Sequence, residues 1–250
     1  MAPPAHPAPG PPAAPPTEPV ARAAAWAVHV YTASGAILAL AALAATARGD
    51  ARQAFFWLGA QVFVDGTDGW LARLARVSER VPSINGSRLD DIVDYLTYVF
   101  VPAWMVVRLG LVPPGTEWVV AGAVLLSSAL GFSREDAKTS DHYFTGFPSY
   151  WNVVVFYFLM LGTTPRANAL ILLALAVIVF VPIRYVYPSR TVTLQRLTLA
   201  LSLWWGGTTL AALLTTPPAP RWLLWASLVF PVYYVLLSVA LEVRRRTGTR

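Results

Sequence analysis

Residues 60–72 read AQVFVDGTDGWLA and residues 86–103 read GSRLDDIVDYLTYVFVPA. Each is an apolar run interrupted by paired aspartates, Asp65 with Asp68 and Asp90 with Asp94. Spacings of three and four residues put both carboxylates of a pair on one face of a helix. A short polar loop joins the two runs, so the helices run antiparallel. The four carboxylates then gather at one level, near the loop.

The chain around this loop is unusually apolar. Of 250 residues, 56% are hydrophobic and only 13% are charged, against about 25% charged in a soluble domain. That excess is too large for one soluble core and indicates an integral membrane protein. It excludes a disordered regulator, and the absence of cysteine excludes a disulfide-stapled secreted scaffold. The net charge of +6 reads as membrane orientation and contact with anionic lipid, not as nucleic-acid binding.

Apolar segments at about 23–47, 52–76, 88–110, 116–133, 148–162, 166–186, 192–215 and 220–243 predict an all-α, polytopic fold of about eight transmembrane helices. The fifth is short, and Pro102, Pro182 and Pro231 fall inside spans, as membrane helices tolerate. Residues 1–20 hold nine of the 21 prolines and predict a disordered tail. A single catalytic domain over 21–246 and a short tail at 247–250 complete the expected organisation. With the N-terminus inside, inside segments carry fourteen Arg and Lys and outside segments five. The positive-inside rule therefore predicts both termini, and the acidic loop, on the cytoplasmic side.

An uncompensated aspartate deep in a membrane costs about 2.5–3.5 kcal/mol, so four cost on the order of 10 kcal/mol before mutual repulsion. A hard divalent cation cancels both terms. Donors that are all oxygen favour Mg²⁺ or Mn²⁺ over Zn²⁺ or Cu²⁺. The competing reading pairs the acids with Arg73, Arg76, Arg80 and Arg88 in a solvated loop. It suits Asp91 and Glu79 but not acids set inside an apolar run. Gly66, Gly69 and Gly86 suggest a groove in which a phosphate or nucleotide approaches the backbone, with small-residue helix packing as the alternative.

The pattern Asp65-x-x-Asp68-Gly69-x-x-Ala72-Arg73, then Gly86-x-x-x-Asp90-x-x-x-Asp94, resembles the signature of the CDP-alcohol phosphatidyltransferase family. Twelve residues separate Arg73 from Gly86, a longer loop than the common family pattern. This argues against the glycerol-phosphate and inositol branches. VHVYTASG (28–35), LDDIVDYLTYVFVPA (89–103), KTSDHYFTGFPSYWNVV (138–154) and PIRYVYPSRT (182–191) are similar to the bacterial branch whose acceptor alcohol is choline. The resemblance implies a multi-pass enzyme of the bacterial inner membrane, a homodimer using Mn²⁺ or Mg²⁺, with two ions per site. It would move the phosphatidyl group of CDP-diacylglycerol to choline by metal-assisted displacement at phosphorus, releasing CMP. Carried over position by position, Asp65, Asp68 and Asp90 are metal ligands. Asp94 takes the hydroxyl proton and shares a metal. Thr67, Gly69, Arg73 and Gly86 line the nucleotide or diphosphate site.

Choline has a fixed positive charge and no N–H, so aromatic faces suit it. Tyr95, Tyr98, Tyr143, Phe147, Tyr150 and Trp151, together with Phe144, are the candidates, with Asp141 to offset the charge. An interfacial aromatic belt is the alternative. Arg134, Lys138 and Arg190 are candidates for lipid phosphates, or simply the positive-inside signal. His29 and His142 have no suitably spaced His or Cys partner and read as packing or interface residues. Three rival functions remain: a family member using serine, inositol or glycerol 3-phosphate, a divalent-cation transporter, and an inactive scaffold. A transporter would show internal repeats or acids spread through the membrane depth, and the sequence shows neither.

Overall fold

The computed structural model describes residues 18–136, 143–188, 191–215 and 219–248. The fold is mostly helical. Helices α1 (Glu18–Ala33) and α2 (Gly35–Ala47) run almost continuously. They are followed by α3 (Ala51–Leu74), a single turn α4 (Val77–Arg80) and α5 (Gly86–Asp94). A π-helical turn (Tyr95–Phe100) carries α5 into α6 (Val101–Arg108). Beyond it come α7 (Glu117–Phe132), α8 (Trp151–Leu161), α9 (Pro165–Ile178), α10 (Gln195–Leu214) and α11 (Arg221–Thr247). Each expected apolar segment holds one of these helices or a run of them. Among the described residues, three helical stretches are long and apolar enough to cross a membrane, namely Glu18–Ala47, Gln195–Leu214 and Arg221–Thr247.

Local chemistry sets the helix starts. The Asp50 side chain accepts the Gln53 amide at 2.9 Å and caps α3. Asn85 caps α5 by accepting the Arg88 amide at 3.1 Å. Thr164 caps α9, with Pro165 in the first turn, where its missing N–H is not needed. The π turn lies just before Pro102. Proline cannot donate to the preceding turn, and a widened turn accommodates the loss.

The core is built on α6 and its neighbours. Val99, Val101 and Met105 are fully buried, and Ala39, Ala42 and Ala45 form a small-residue face on α2 that lets it approach closely. At Gly35, which opens α2, a Cβ would overlap the Gln61 carboxamide and a Val93 methyl. The outward faces stay apolar, as at Ile37, Phe63, Leu203 and Leu236, each more than 60% exposed. Such surface suits hydrocarbon rather than water.

Four expectations need correction. The tail expected through residue 20 gives way to α1 at Glu18, whose Pro19 is tolerated in a first helical turn. The segment expected over 166–186 ends as helix at Ile178, and Pro182 lies in the turn beyond it. The fold is not purely helical: β1 (Tyr143–Thr145) and β2 (Arg184–Val186) pair antiparallel, Tyr143 opposite Val186 and Thr145 opposite Arg184. Gly146, at φ +85°, lets the chain pass directly over the Val179 carbonyl, where any Cβ would collide. Finally, the short loop expected between the two acid-bearing helices carries the helical turn α4. Val77 and Val81 bury against Ala25 of α1, and Arg80 donates to the Ala75 carbonyl at 2.8 Å. The rest of the expected N-terminal tail, residues 1–17, lies outside the described residues.

Candidate active site

Helices α3 and α5 bring three acids together. Asp65, Asp68 and Asp90 each offer a carboxylate oxygen, and these oxygens all lie within 4.8 Å of one another. That geometry fits a hard divalent cation, because every donor is an oxygen and two helices fix the set. Asp94, one turn beyond Asp90, stands outside this trio.

Two of the carboxylates are held by hydroxyls from other elements. Thr32 of α1 donates from Oγ1 to Asp68 Oδ2 at 2.9 Å, and both residues are buried. Tyr98, in the π turn, donates to Asp65 Oδ2 at 2.8 Å. Hydrogen bonds of this kind are how an outer shell orients metal ligands. Tyr31 and Thr67 share a hydrogen bond of 2.8 Å, adding a second tie between α1 and α3.

The expected nucleotide residues line the same end. A Cβ at Gly69 would stand 3.5 Å from Arg73 Nη1, so the guanidinium folds back over the glycine one turn away. Gly86 opens α5, and a Cβ there would stand 3.6 Å from the His29 ring. Thr67 is committed to Tyr31 and to backbone carbonyls of its own helix.

The aromatic candidates divide. Tyr98 and Tyr150 meet with ring centroids 5.8 Å apart, Tyr98 being the tyrosine bonded to Asp65. Tyr143, on β1, packs into the cluster around Tyr185 and Tyr234. Tyr95 turns away, donating to the Leu125 carbonyl at 3.0 Å and meeting Phe132 edge-on. Trp151 is fully buried, and its Nε1 donates to Ser128 Oγ at 2.7 Å. Phe147 packs edge-on against Trp151, while Phe144 stacks on Tyr187 at 4.5 Å. Arg134 forms a two-pronged ion pair with Asp136 at 2.7 and 2.8 Å, holding that carboxyl below its ordinary pKa. Lys138, Asp141, His142 and Arg190 lie outside the described residues.

Three residues not singled out in the sequence join the site. Thr32 sits among apolar neighbours in VHVYTASG, and a hydroxyl one turn from His29 is the signal that marks it. Tyr234 of α11 meets Tyr150 at 6.1 Å, and Tyr185 of β2 lies nearly parallel to Tyr234 at 6.2 Å. Nothing local distinguishes those two tyrosines from membrane-interface aromatics.

Sequence comparison identifies relatives over the whole acidic region. The chain is 32% identical to a phosphatidylcholine synthase of Rhizobium meliloti over 230 residues, covering 92% of this chain and 95% of that one. It is 41% identical to the Pseudomonas aeruginosa phosphatidylcholine synthase over 187 residues, 75% of this chain and 79% of the relative. The chain belongs to the phosphatidylcholine synthase family. A Legionella pneumophila phosphatidylcholine synthase is 42% identical over 168 residues, 67% of this chain and 66% of the relative. No family model matches the chain. Membership of the phosphatidylcholine synthase family gives the three-carboxylate cluster an enzymatic context.

Proposed function

We propose that this chain transfers the phosphatidyl group of CDP-diacylglycerol to choline, giving phosphatidylcholine and CMP. The observation that carries this reading is the Asp65–Asp68–Asp90 cluster in a chain related along most of its length to phosphatidylcholine synthases. The choline hydroxyl oxygen attacks the phosphorus that bears diacylglycerol. The bond from that phosphorus to the CMP oxygen breaks, and CMP departs with the electron pair. Mn²⁺ or Mg²⁺, two ions when both positions fill, would supply charge neutralisation of the diphosphate and of the departing CMP.

The protein's own residues do the rest. Asp65, Asp68 and Asp90 would hold the metal, and Asp94, one turn away on α5, would share a second ion. Thr32 and Tyr98 keep Asp68 and Asp65 in their ligating orientations. Asp94 receives the proton from the attacking hydroxyl. Gly69, Gly86 and Arg73 lie against the nucleotide diphosphate, with Thr67 behind them. Tyr98 and Tyr150 face the choline ammonium, and the Tyr98–Asp65 hydrogen bond beside the Tyr98–Tyr150 ring contact supports that assignment, since carboxylates and aromatic faces both favour a cation. We read the working unit as a homodimer in the bacterial inner membrane. The eight apolar segments support eight spans, and the charge bias supports both termini and the site on the cytoplasmic side.

The test is transfer of labelled choline into lipid by purified protein supplied with CDP-diacylglycerol and Mn²⁺. Label that appears from choline and disappears with a chelator is the expected result. Transfer only from serine, inositol or glycerol 3-phosphate would overturn the choline assignment while keeping the acid site. No transfer from any alcohol, in folded protein, would overturn the enzymatic reading.

A further inference from the structure

His29 reads in the sequence as a packing residue, yet its surroundings are poor for one. It is 5% exposed, and among the described residues nothing hydrogen-bonds to its Nε2. Among the described residues its ring neighbour is Trp26, which it meets edge-on at 6.2 Å. A buried nitrogen without a partner is costly unless a ligand supplies one. The imidazole stands against the opening of α5, with Cε1 3.6 Å from where a Cβ of Gly86 would be.

That opening is itself suited to an anion. The first amides of a helix have no partner within it, and Asn85 satisfies the amide of Arg88. The amides of Gly86 and Ser87 precede that one, at the positive end of the helix. Gly86 and Asp90 are four residues apart on one face, about 6 Å along the axis. A phosphate held at Asp90 therefore lies within reach of both the helix opening and the imidazole.

We propose that His29 is a phosphate-binding residue, its Nε2–H and the first amides of α5 together holding a phosphate oxygen of the cytidine nucleotide. The inference rests on the proposed function and deepens it, bringing α1 into the nucleotide site. The edge-on Trp26 contact packs one side of the ring and leaves Nε2 without a hydrogen-bond partner among the described residues.

The test compares wild type with His29→Phe, His29→Gln and Gly86→Ala. Binding of labelled CMP in Mn²⁺, competition by cytidine, and thermal stability in detergent are measured for each. His29→Phe keeps the ring and should bind CMP about ten- to hundredfold more weakly, with cytidine competition and stability unchanged. His29→Gln restores a donor and should recover much of the loss. Gly86→Ala meets His29 only at ordinary contact distance, so it should fold while filling the anion's place and weakening CMP. Unchanged CMP binding in His29→Phe overturns the proposal, as does an equal loss for CMP and cytidine. If wild type binds CMP through His29 but transfers to no alcohol, the proposed function fails and the phosphate site stands.

Discussion

At the scale of single residues, the acidic cluster depends on hydroxyls that no charge count would select. Thr32→Val keeps the shape of the side chain and removes the bond to Asp68. We expect Mn²⁺ to activate this variant about ten- to hundredfold more weakly, the usual effect of losing an outer-shell partner, with the metal titration of activity as the measurement. Tyr98→Phe should act similarly through Asp65. Asp94→Asn should lower turnover by about 10²–10⁴-fold, the usual contribution of a general base, while leaving CDP-diacylglycerol binding in place. Near-normal turnover in that variant would exclude Asp94 as the proton acceptor. The four aspartates were legible in the sequence because their spacing and their apolar surroundings conflict. Thr32, Tyr185 and Tyr234 were not, because a hydroxyl or an aromatic ring inside an apolar run is common and only tertiary contact distinguishes one from another.

At the scale of elements, two glycines fix how the helices and the ribbon meet. A methyl at Gly35 would drive α2 away from Gln61 and Val93, and one at Gly146 would strike the Val179 carbonyl while also opposing a left-handed backbone. Overpacking of this kind costs about 1–3 kcal/mol. Gly35→Ala and Gly146→Ala should each lower the thermal midpoint in detergent, whereas Gly122→Ala, which meets nothing within 4 Å, should not. The helices themselves were readable from hydropathy and length. The β1–β2 ribbon was not, because each strand is three residues long and aromatic. Such stretches look like the ends of spans. Its place is set by long-range bonds, the Gly146 amide to Ile183 O at 2.9 Å and the Val186 amide to Ser238 Oγ at 3.1 Å.

At the scale of the molecule, the ends of distant segments are tied together on the same side as the ribbon. Glu242, buried near the end of α11, accepts from both Arg245 and Arg246 at 2.6 Å. Arg246 also donates to the Pro182 carbonyl at 3.2 Å. The chain has no cysteine, so single introduced thiols report topology directly. A membrane-impermeant thiol reagent should reach Arg166→Cys in intact cells and Ser78→Cys only after the membrane is opened. Both positions are exposed. Labelling of Ser78→Cys from outside would reverse the orientation assigned to the site. The orientation was inferred from arginine counts alone, and counting needs no knowledge of how the helices pack.

The π turn has a consequence for comparing this chain with its relatives. It carries the residues Tyr95–Phe100 between the acid-bearing α5 and the buried α6. A turn of this kind holds one residue more than an α-helical turn, and one residue corresponds to about 100° around a helix axis. The helical phase of α6 is therefore offset from that of Asp90 and Asp94. A relative lacking the widened turn would align correctly at the acids and still present a different face from Val101 onward unless a one-residue gap were placed between them. Numbering residues by distance from the acids would then pair core positions with lipid-facing ones.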